Sequence, residues 1–262
     1  MCLILLGFRA HRHFPLVVAA NRDEHYSRPA APAAFWDDHP AIYAGRDLEK
    51  GGSWMGINTN GRFAAITNYR EGQPGAAAPR SRGELVSGFL TGDTVAADYF
   101  SAIAGAEYNP FSMIAGDLDA LGFHSNRGNG FLPVTPGVHG LSNHLLDTPW
   151  PKVKAGTAAI AATREFDDPD AVSATLFALL ADRAPAPDPL LPDTEITPQR
   201  ERELSPPFIS GEHYGTRAST VLLVHAGGDV FVHEKRYGPR GQPLGETARA
   251  FRLERAARAV TG

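Results

Sequence analysis

The sequence of 262 residues has a single cysteine, Cys2, and few long apolar runs. One thiol excludes an internal disulfide framework and any zinc site built from several thiolates. The apolar opening 2–6 is only five residues long and has no basic segment before it, so it predicts neither a signal-peptide core nor a membrane span. From these absences we expect a cytoplasmic protein with no transmembrane segment.

Excess positive charge is absent as well. The chain has 25 basic and 29 acidic residues and a net charge of −4, which argues against nucleic acid as a partner. Hydrophobic residues (43%) and charged residues (21%) occur in ordinary globular proportions, so the chain can bury a sizeable core. We expect one domain over 1–262, because sandwich and barrel folds often reach about this length as a single unit.

Apolar runs separated by turn residues predict four antiparallel hairpins. Asn60-Gly61 between the runs 54–58 and 62–68 is the strongest of the turn signals. The other predicted pairs are 3–8 with 15–20, 111–117 with 121–125, and 219–226 with 229–234.

Helical patterns occur in two blocks between these strands. The first block covers 85–90 and 95–104, and the second covers about 150–163 and 170–181. Strand pairs that alternate with helix pairs favour a layered α+β sandwich. The segment 184–207 carries seven prolines, which argue against a continuing helix or a central strand, so we expect an ordered surface loop there.

Cys2 is the most specific chemical feature of the sequence. Removal of Met1 would put a free α-amine and a thiol on one residue. An α-amine, whose ordinary pKa is about 7.7–8.0, can take the thiol proton near neutral pH. The alternative is a small buried cysteine that begins a strand, because free cysteine is among the most buried residue types.

Four polar residues follow directly on the second apolar run, and they are Asn21, Arg22, Asp23 and Glu24. A carboxylate at this place can hold and orient an α-ammonium group on the neighbouring strand. An arginine or asparagine can contact a thiolate or a substrate carbonyl. The alternative for any one of these residues is a polar turn.

The run 19–24 after Met1-Cys2 resembles the NRDE family, the group that contains the transport-and-Golgi-organisation protein 2 (TANGO2) homologues. Five further blocks match in the same order, and they are 51–58, 66–70, 140–143, 191–194 and 214–220. This family is similar to the N-terminal nucleophile (Ntn) hydrolases that use an N-terminal cysteine, the penicillin V acylase and bile-salt hydrolase group. The resemblance implies their fold, a four-layer αββα sandwich.

The resemblance also implies a set of site residues. Cys2 matches the nucleophile, Asp23 the carboxylate near its amine, Asn68 a residue of the oxyanion region, Asn143 the asparagine after the mid-chain strand, and Arg217 the late arginine. In the acylases an arginine precedes the Asn-x-Asp element, whereas here that position is Ala20. Arg22 lies inside the element instead and, with Asn21, completes the predicted catalytic set. We further expect the pKa of the Cys2 thiol to be low, because the α-ammonium and Arg217 both favour the thiolate.

Two functions are open at this point. The first is an amidohydrolase that cleaves a linear C–N amide through an acyl-enzyme. The second is a carrier of haem or of a lipid or acyl-thioester ligand, since the resembled family is associated with haem trafficking and lipid metabolism. A carrier would need an apolar cleft, for which we expect Trp36, Trp54, Tyr69, Phe111 and the segment 184–207.

We expect a small-molecule amide, acyl or haem-like ligand. No cofactor and no metal is predicted, because His11-x-His13 lies in a hairpin turn with no third ligand near it in the sequence. The pattern His225, His233 and Glu234 fits cross-strand packing as well as a site. The sequence leaves the oligomeric state open.

Overall fold

The computed structural model describes residues 2–72 and 78–254. A six-stranded antiparallel sheet contains, in spatial order, β10 (Gly137–Leu141), β1 (Cys2–Phe8), β2 (Leu16–His25), β11 (Tyr214–Val224), β12 (Asp229–Tyr237) and β13 (Pro243–Arg252). A seven-stranded antiparallel sheet follows chain order, with β3 (Ala30–Phe35), β4 (Ile42–Asp47), β5 (Met55–Asn58), β6 (Phe63–Asn68), β7 (Phe111–Gly116), β8 (Leu121–Ser125) and β9 (Leu132–Val134).

Three apolar clusters define four layers. The first cluster fills the space between the two sheets and includes Ile4 and Phe63. In the second, α3 (Pro151–Ala162) and α4 (Pro169–Leu180) cover the outer face of the six-stranded sheet. In the third, α1 (Gly83–Thr91) and α2 (Ala96–Ser101) cover the outer face of the seven-stranded sheet. The expected αββα sandwich is therefore confirmed.

The central strands β1 and β2 are buried on both faces, which explains their nearly continuous apolar sequence. Side chains alternate along a strand with a period of two. In β1, Ile4 contributes to the core between the sheets, whereas Leu3 and Leu5 pack under the helices. The same alternation determines which polar side chains of β1 and β2 face the other sheet and which face the helices.

All four predicted hairpins are present. β2 is longer than predicted, because it continues to His25 and includes Asn21, Arg22, Asp23 and Glu24. These residues are therefore strand residues, and the alternative of a polar turn is wrong. Pairing with β11 supplies the backbone hydrogen bonds that a turn would otherwise have provided.

The segment 184–207, for which we expect an ordered surface loop, contains a short helix, α5 (Pro198–Glu203). Pro198 occupies the first helical position, where the missing N–H costs nothing, and the Thr197 side chain accepts a hydrogen bond from the Arg200 N–H. A buried ion pair of 3.0 Å between Arg70 and Glu201 holds α5 against the body of the protein.

No helix in 2–72 or 78–254 is long and apolar enough to cross a membrane. The prediction of one domain over 1–262 extends to 255–262, which lie outside the described residues.

Gly156 of α3 packs directly on Leu5 of β1, because an added Cβ there would lie 2.2 Å from Leu5 Cδ2. We expect Gly156→Ala to lower the free energy of unfolding by about 1–3 kcal/mol through overpacking, although alanine has the higher helix propensity. Urea denaturation measures this change. The control is Lys154→Ala at an exposed position of the same helix, which should change stability by less than about 0.5 kcal/mol. Equal effects of the two substitutions would contradict the close helix–sheet contact.

Candidate active site

Cys2 lies in a cleft of about 450 Å³ between the two sheets. Strand ends of both sheets and the segment before α1 line this cleft. Five of the seven predicted site residues are among the lining residues, namely Cys2, Arg22, Asp23, Asn68 and Arg217. Asn21 and Asn143 are not.

The register of the six-stranded sheet places one row of residues beside the thiol. Cys2 pairs with Arg22, Arg22 pairs with Ala218, and Ala218 pairs with Arg236. Paired residues in an antiparallel sheet point to the same face. Because Ile4 points into the core between the sheets, this row also faces the space between them.

Asp23 is a buried carboxylate on the strand beside Cys2, and only 2% of it is exposed. Its Oδ1 accepts a hydrogen bond of 2.7 Å from the Thr216 hydroxyl. Burial raises the Asp23 pKa to about 6, against the opposing effects of the chain's amino terminus, Lys152 and the Thr216 hydrogen bond. The site thus holds a carboxyl group that titrates close to neutral pH.

In the chain that retains Met1, burial raises the pKa of the Cys2 thiol, and the amino terminus, the Asp23 backbone N–H and Arg22 oppose the rise only in part. The predicted low pKa concerns the chain without Met1 and stays a prediction. Arg217, which was expected to favour the thiolate, instead donates to the backbone carbonyls of His25 and Arg28. A thiol with a raised pKa needs a base to become a nucleophile.

Asn21 has a structural role and does not reach the cleft. Its Nδ2 donates to the carbonyls of Leu180 and Pro207, both at 2.9 Å, and its Oδ1 accepts from the Ser219 hydroxyl at 2.6 Å. The odd-numbered residues of this stretch point to the helical layer, which is why Asn21 and Arg22 face opposite sides. Including Asn21 in the catalytic set was a wrong prediction about its location.

Asn143 does not line the cleft but contacts the backbone of residues next to it. Its backbone is in the left-handed region (φ 57°), and its Nδ2 donates to the Asn68 carbonyl at 3.0 Å. The Asn143 carbonyl accepts from the Arg70 N–H at 2.7 Å. Its side-chain N–H is thus engaged with backbone, and Asn68 is the asparagine of the pair that lines the cleft.

Two charged residues near Cys2 were missed. Lys152, in the first turn of α3, is 3% exposed and donates to the Leu204 carbonyl at 2.9 Å. Burial lowers its pKa to about 8, and Asp23 opposes this shift. Arg82 lines the cleft and donates to the Pro110 carbonyl at 2.8 Å, and the Cys2 thiol group acts to raise its pKa against the larger effect of burial.

No local sequence pattern predicts that Lys152 and Arg82 lie near Cys2, because each residue lies at the start of an ordinary helix.

The cleft is more polar than expected. Of the residues expected to form an apolar cleft, only Trp54 lines it. Trp36 and Phe111 belong to the core under α1 and α2, and Tyr69 hydrogen-bonds to His144 at 2.8 Å. The segment 184–207 does not line the cleft either. The expectation that these residues together form an apolar cleft was therefore wrong.

The histidines also have local roles. His11 Nδ1 accepts hydrogen bonds from the backbone N–H groups of His13 and Phe14, as expected of a turn. His233 pairs with Glu246 at 3.1 Å on the helical side of the sheet. Glu234 points to the opposite side and accepts from the Ala33 N–H at 2.9 Å.

Together these features define a four-layer αββα protein with a second-residue cysteine and a buried carboxylate at one cleft. The family model described as "Transport and Golgi organisation 2" matches residues 1–239, and the chain belongs to this family. The Transport and Golgi organization protein 2 homolog of Bos taurus is 38% identical, over 97% of this chain and 100% of that protein. The Homo sapiens homolog is 36% identical, over 90% of this chain and 92% of that protein.

Among solved structures, the chain is similar to the Caenorhabditis elegans ortholog of N-acylethanolamine-hydrolyzing acid amidase. The TM-score is 0.49 and the sequence identity is 12%, over 85% of this chain and 92% of that chain.

We expect Asn21→Ala to lower the free energy of unfolding by about 2–4 kcal/mol, because it leaves the buried carbonyls of Leu180 and Pro207 and the Ser219 hydroxyl without this partner. Chemical denaturation measures the loss. The control is Asn60→Ala, an exposed turn residue, which should change stability by less than about 0.5 kcal/mol. If both variants lose equally little free energy of unfolding, Asn21 does not hold the helical layer to β2.

Proposed function

We propose that the protein is an Ntn-type hydrolase of linear amide bonds, with Cys2 as its nucleophile after removal of Met1. The observation that carries the proposal is the pairing of β1 with β2, which puts the Cys2 thiol in the cleft and the buried Asp23 carboxyl group on the adjacent strand, where it faces the helical layer and still acts on the thiol electrostatically. A neutral thiol next to a base on its own residue suits this chemistry, because the amine removes the proton at the moment of attack.

The proposed reaction balances as follows. The α-amine of Cys2 takes the thiol proton, and the sulfur adds to the amide carbonyl carbon. The Asn68 side-chain amide is the donor we assign to the oxyanion. The C–N bond then breaks, the α-ammonium returns its proton to the leaving amine, and a thioester remains on Cys2. Water, deprotonated by the same α-amine, releases the carboxylic acid and restores the thiol.

Asp23 and Lys152 are positioning residues in this proposal. An ionised Asp23 attracts and orients the α-ammonium that forms during the reaction. Lys152 favours the ionised form of Asp23, since it lowers the pKa of that carboxyl group.

We expect Cys2→Ala to abolish hydrolysis while the fold is retained, and Cys2→Ser to keep only a trace, because a hydroxyl is the poorer nucleophile. A panel of N-acyl amides incubated with each variant, followed by mass detection of the free acid, measures this. Circular dichroism checks the fold. Equal hydrolysis by wild type and Cys2→Ala would remove Cys2 as the nucleophile.

We expect kcat/KM to rise with pH through about 6, because the Asp23 pKa is raised to about 6 and its ionised form is the functional one above that pH. Asp23→Asn should flatten this limb or abolish activity. The control is Asp47→Asn, since Asp47 also lines the cleft but Arg28 helps to hold its pKa below the ordinary value. A fully active Asp23→Asn variant with an unchanged limb would exclude this role.

The second candidate function is a non-catalytic carrier of haem or of a lipid or acyl-thioester ligand. The raised pKa of the Cys2 thiol favours it, because such a thiol is a weak nucleophile without a base. Roles in haem trafficking and lipid metabolism are proposed only as part of this carrier function. A carrier returns its ligand chemically unchanged, so the same mass detection distinguishes the two functions.

A further inference from the structure

The cleft beside Cys2 is basic although the chain as a whole is acidic. Eight of the lining residues are arginine or lysine and four are aspartate or glutamate, whereas the chain carries a net charge of −4. Some of the basic residues are neutralised locally. Arg28 pairs with Asp47 at 2.6 Å, and Arg46 pairs with Asp38 at 2.5 Å.

Arg22 and Arg236 differ from these paired residues. Both line the cleft and both are half-buried. Within 2–72 and 78–254, neither guanidinium has a carboxylate within 4.0 Å or a hydrogen-bond partner, and Arg236 Nε is buried without one. Arginine that is partly removed from water normally finds an anionic partner. The missing partner of these two arginines is what the ligand can supply.

The sheet register brings these two arginines together. Arg22 and Arg236 lie on the same face on either side of Ala218, whose small side chain leaves room between them. Adjacent strands are about 4.8 Å apart, so the backbones of the two arginines are roughly 10 Å apart and their side chains can converge on one anion. The same spacing puts an anion above Ala218 roughly 10 Å from Cys2, across two strand intervals.

Two carboxyl groups lie near this pair, and neither forms an ion pair with it within 4.0 Å. Glu234 faces the same side of the sheet as Arg236 and accepts from the Ala33 N–H. Burial raises the Glu234 pKa, and the Ala33 hydrogen bond, Arg236 and Arg22 oppose that rise. Glu24 accepts from the His25 N–H. Arg217 is a further positive neighbour, since Arg22 acts to lower its pKa.

We propose that Arg22 and Arg236 form an anion-binding subsite above Ala218 that recognises an oxyanion group, a carboxylate or phosphate, on the ligand held at Cys2. The proposal rests on the proposed function only in placing the reacting amide carbonyl at Cys2. The substrate class is then an amide whose acyl half or amine half carries the anion several bonds from the carbonyl. Bidentate guanidinium contacts supply both the affinity and the orientation.

Binding to Cys2→Ala tests the subsite without turnover. The probes are suberic acid monoanilide, with a carboxylate on the acyl half, and N-octanoylglycine, with a carboxylate on the amine half. Their neutral counterparts are octananilide and N-octanoylglycinamide, and octyl phosphate represents the phosphate group. Isothermal titration at two salt concentrations measures the preference for each anionic probe over a neutral one.

We expect at least one anionic probe to bind about tenfold or more tightly than its neutral counterpart, because charge-assisted hydrogen bonds are strong, and the preference should weaken with salt. Adding Arg236→Gln to the Cys2→Ala background should reduce the preference to about twofold or less. Arg236→Lys should restore part of it, which separates loss of charge from misfolding. Arg46→Gln, which removes a paired arginine of the same cleft, should leave the preference unchanged.

Two results would overturn the subsite. One is equal affinity of all anionic and neutral probes for Cys2→Ala, and the other is a preference that survives Arg236→Gln. Hydrolysis is read separately in wild type. Cys2-dependent cleavage of neutral amides without any anion preference would keep the hydrolase and remove the subsite. Arg236-dependent binding with no acid released would keep the subsite and remove the hydrolase.

Discussion

The antiparallel register between β1 and β2 determines which side chains reach the cleft. Cys2 pairs with Arg22, so these two face the space between the sheets, whereas Asn21 and Asp23 face the helical layer. A shift of one residue would exchange the two sets. Both faces of these strands are packed with apolar side chains, and Ile4 and Leu5 could not exchange sides without exposing or overfilling a core. The packing of the sandwich therefore fixes the chemistry of the site.

The same packing buries charged groups at the site, and this burial shifts their pKa values. Lys152 is buried in the first turn of α3, where the helix dipole disfavours a cation, and Asp23 is buried on the strand beneath it. Burial moves the pKa of Asp23 up to about 6 and that of Lys152 down to about 8, so each group titrates near neutral pH. Groups with such shifts cluster at functional sites more often than elsewhere. Arg22 and Arg236 add two further charged groups to the lining of the cleft.

The sequence predicts those parts of the fold that depend on local pattern. Apolar runs around turn residues identify β1, β2, β11 and β12, which carry most of the site. It does not identify β13, which is mostly exposed and contains Gly245, or β3, which is rich in alanine and has weak strand propensity. Side-chain direction is the second limit: Asn21 and Arg22 are neighbours in the sequence, and only the register separates their roles.

The charged residues that the sequence did not predict are brought to the site by contacts between distant segments of the chain. Lys152, Arg82 and Arg236 come from three separate parts of the chain and join the cleft or its surroundings only through tertiary structure, so no motif contains them. Net charge does not reveal this local distribution, because a chain with an acidic total places seven arginines at one cleft. Five of the seven residues named from the blocks shared with the TANGO2 family line the cleft, and the structure was needed to separate them from Asn21 and Asn143.

The central claim is that Cys2 acts as an N-terminal nucleophile, and the intact mass of the protein purified from its native host tests it most directly. The account predicts a mass lower by one methionine residue than that of the full sequence. After brief incubation with an amide that the protein hydrolyses, it also predicts a mass increase equal to one acyl group on the peptide that contains Cys2. A mass that retains Met1 in fully active protein would contradict the account, because the α-amine of Cys2 would then be an amide without a basic lone pair.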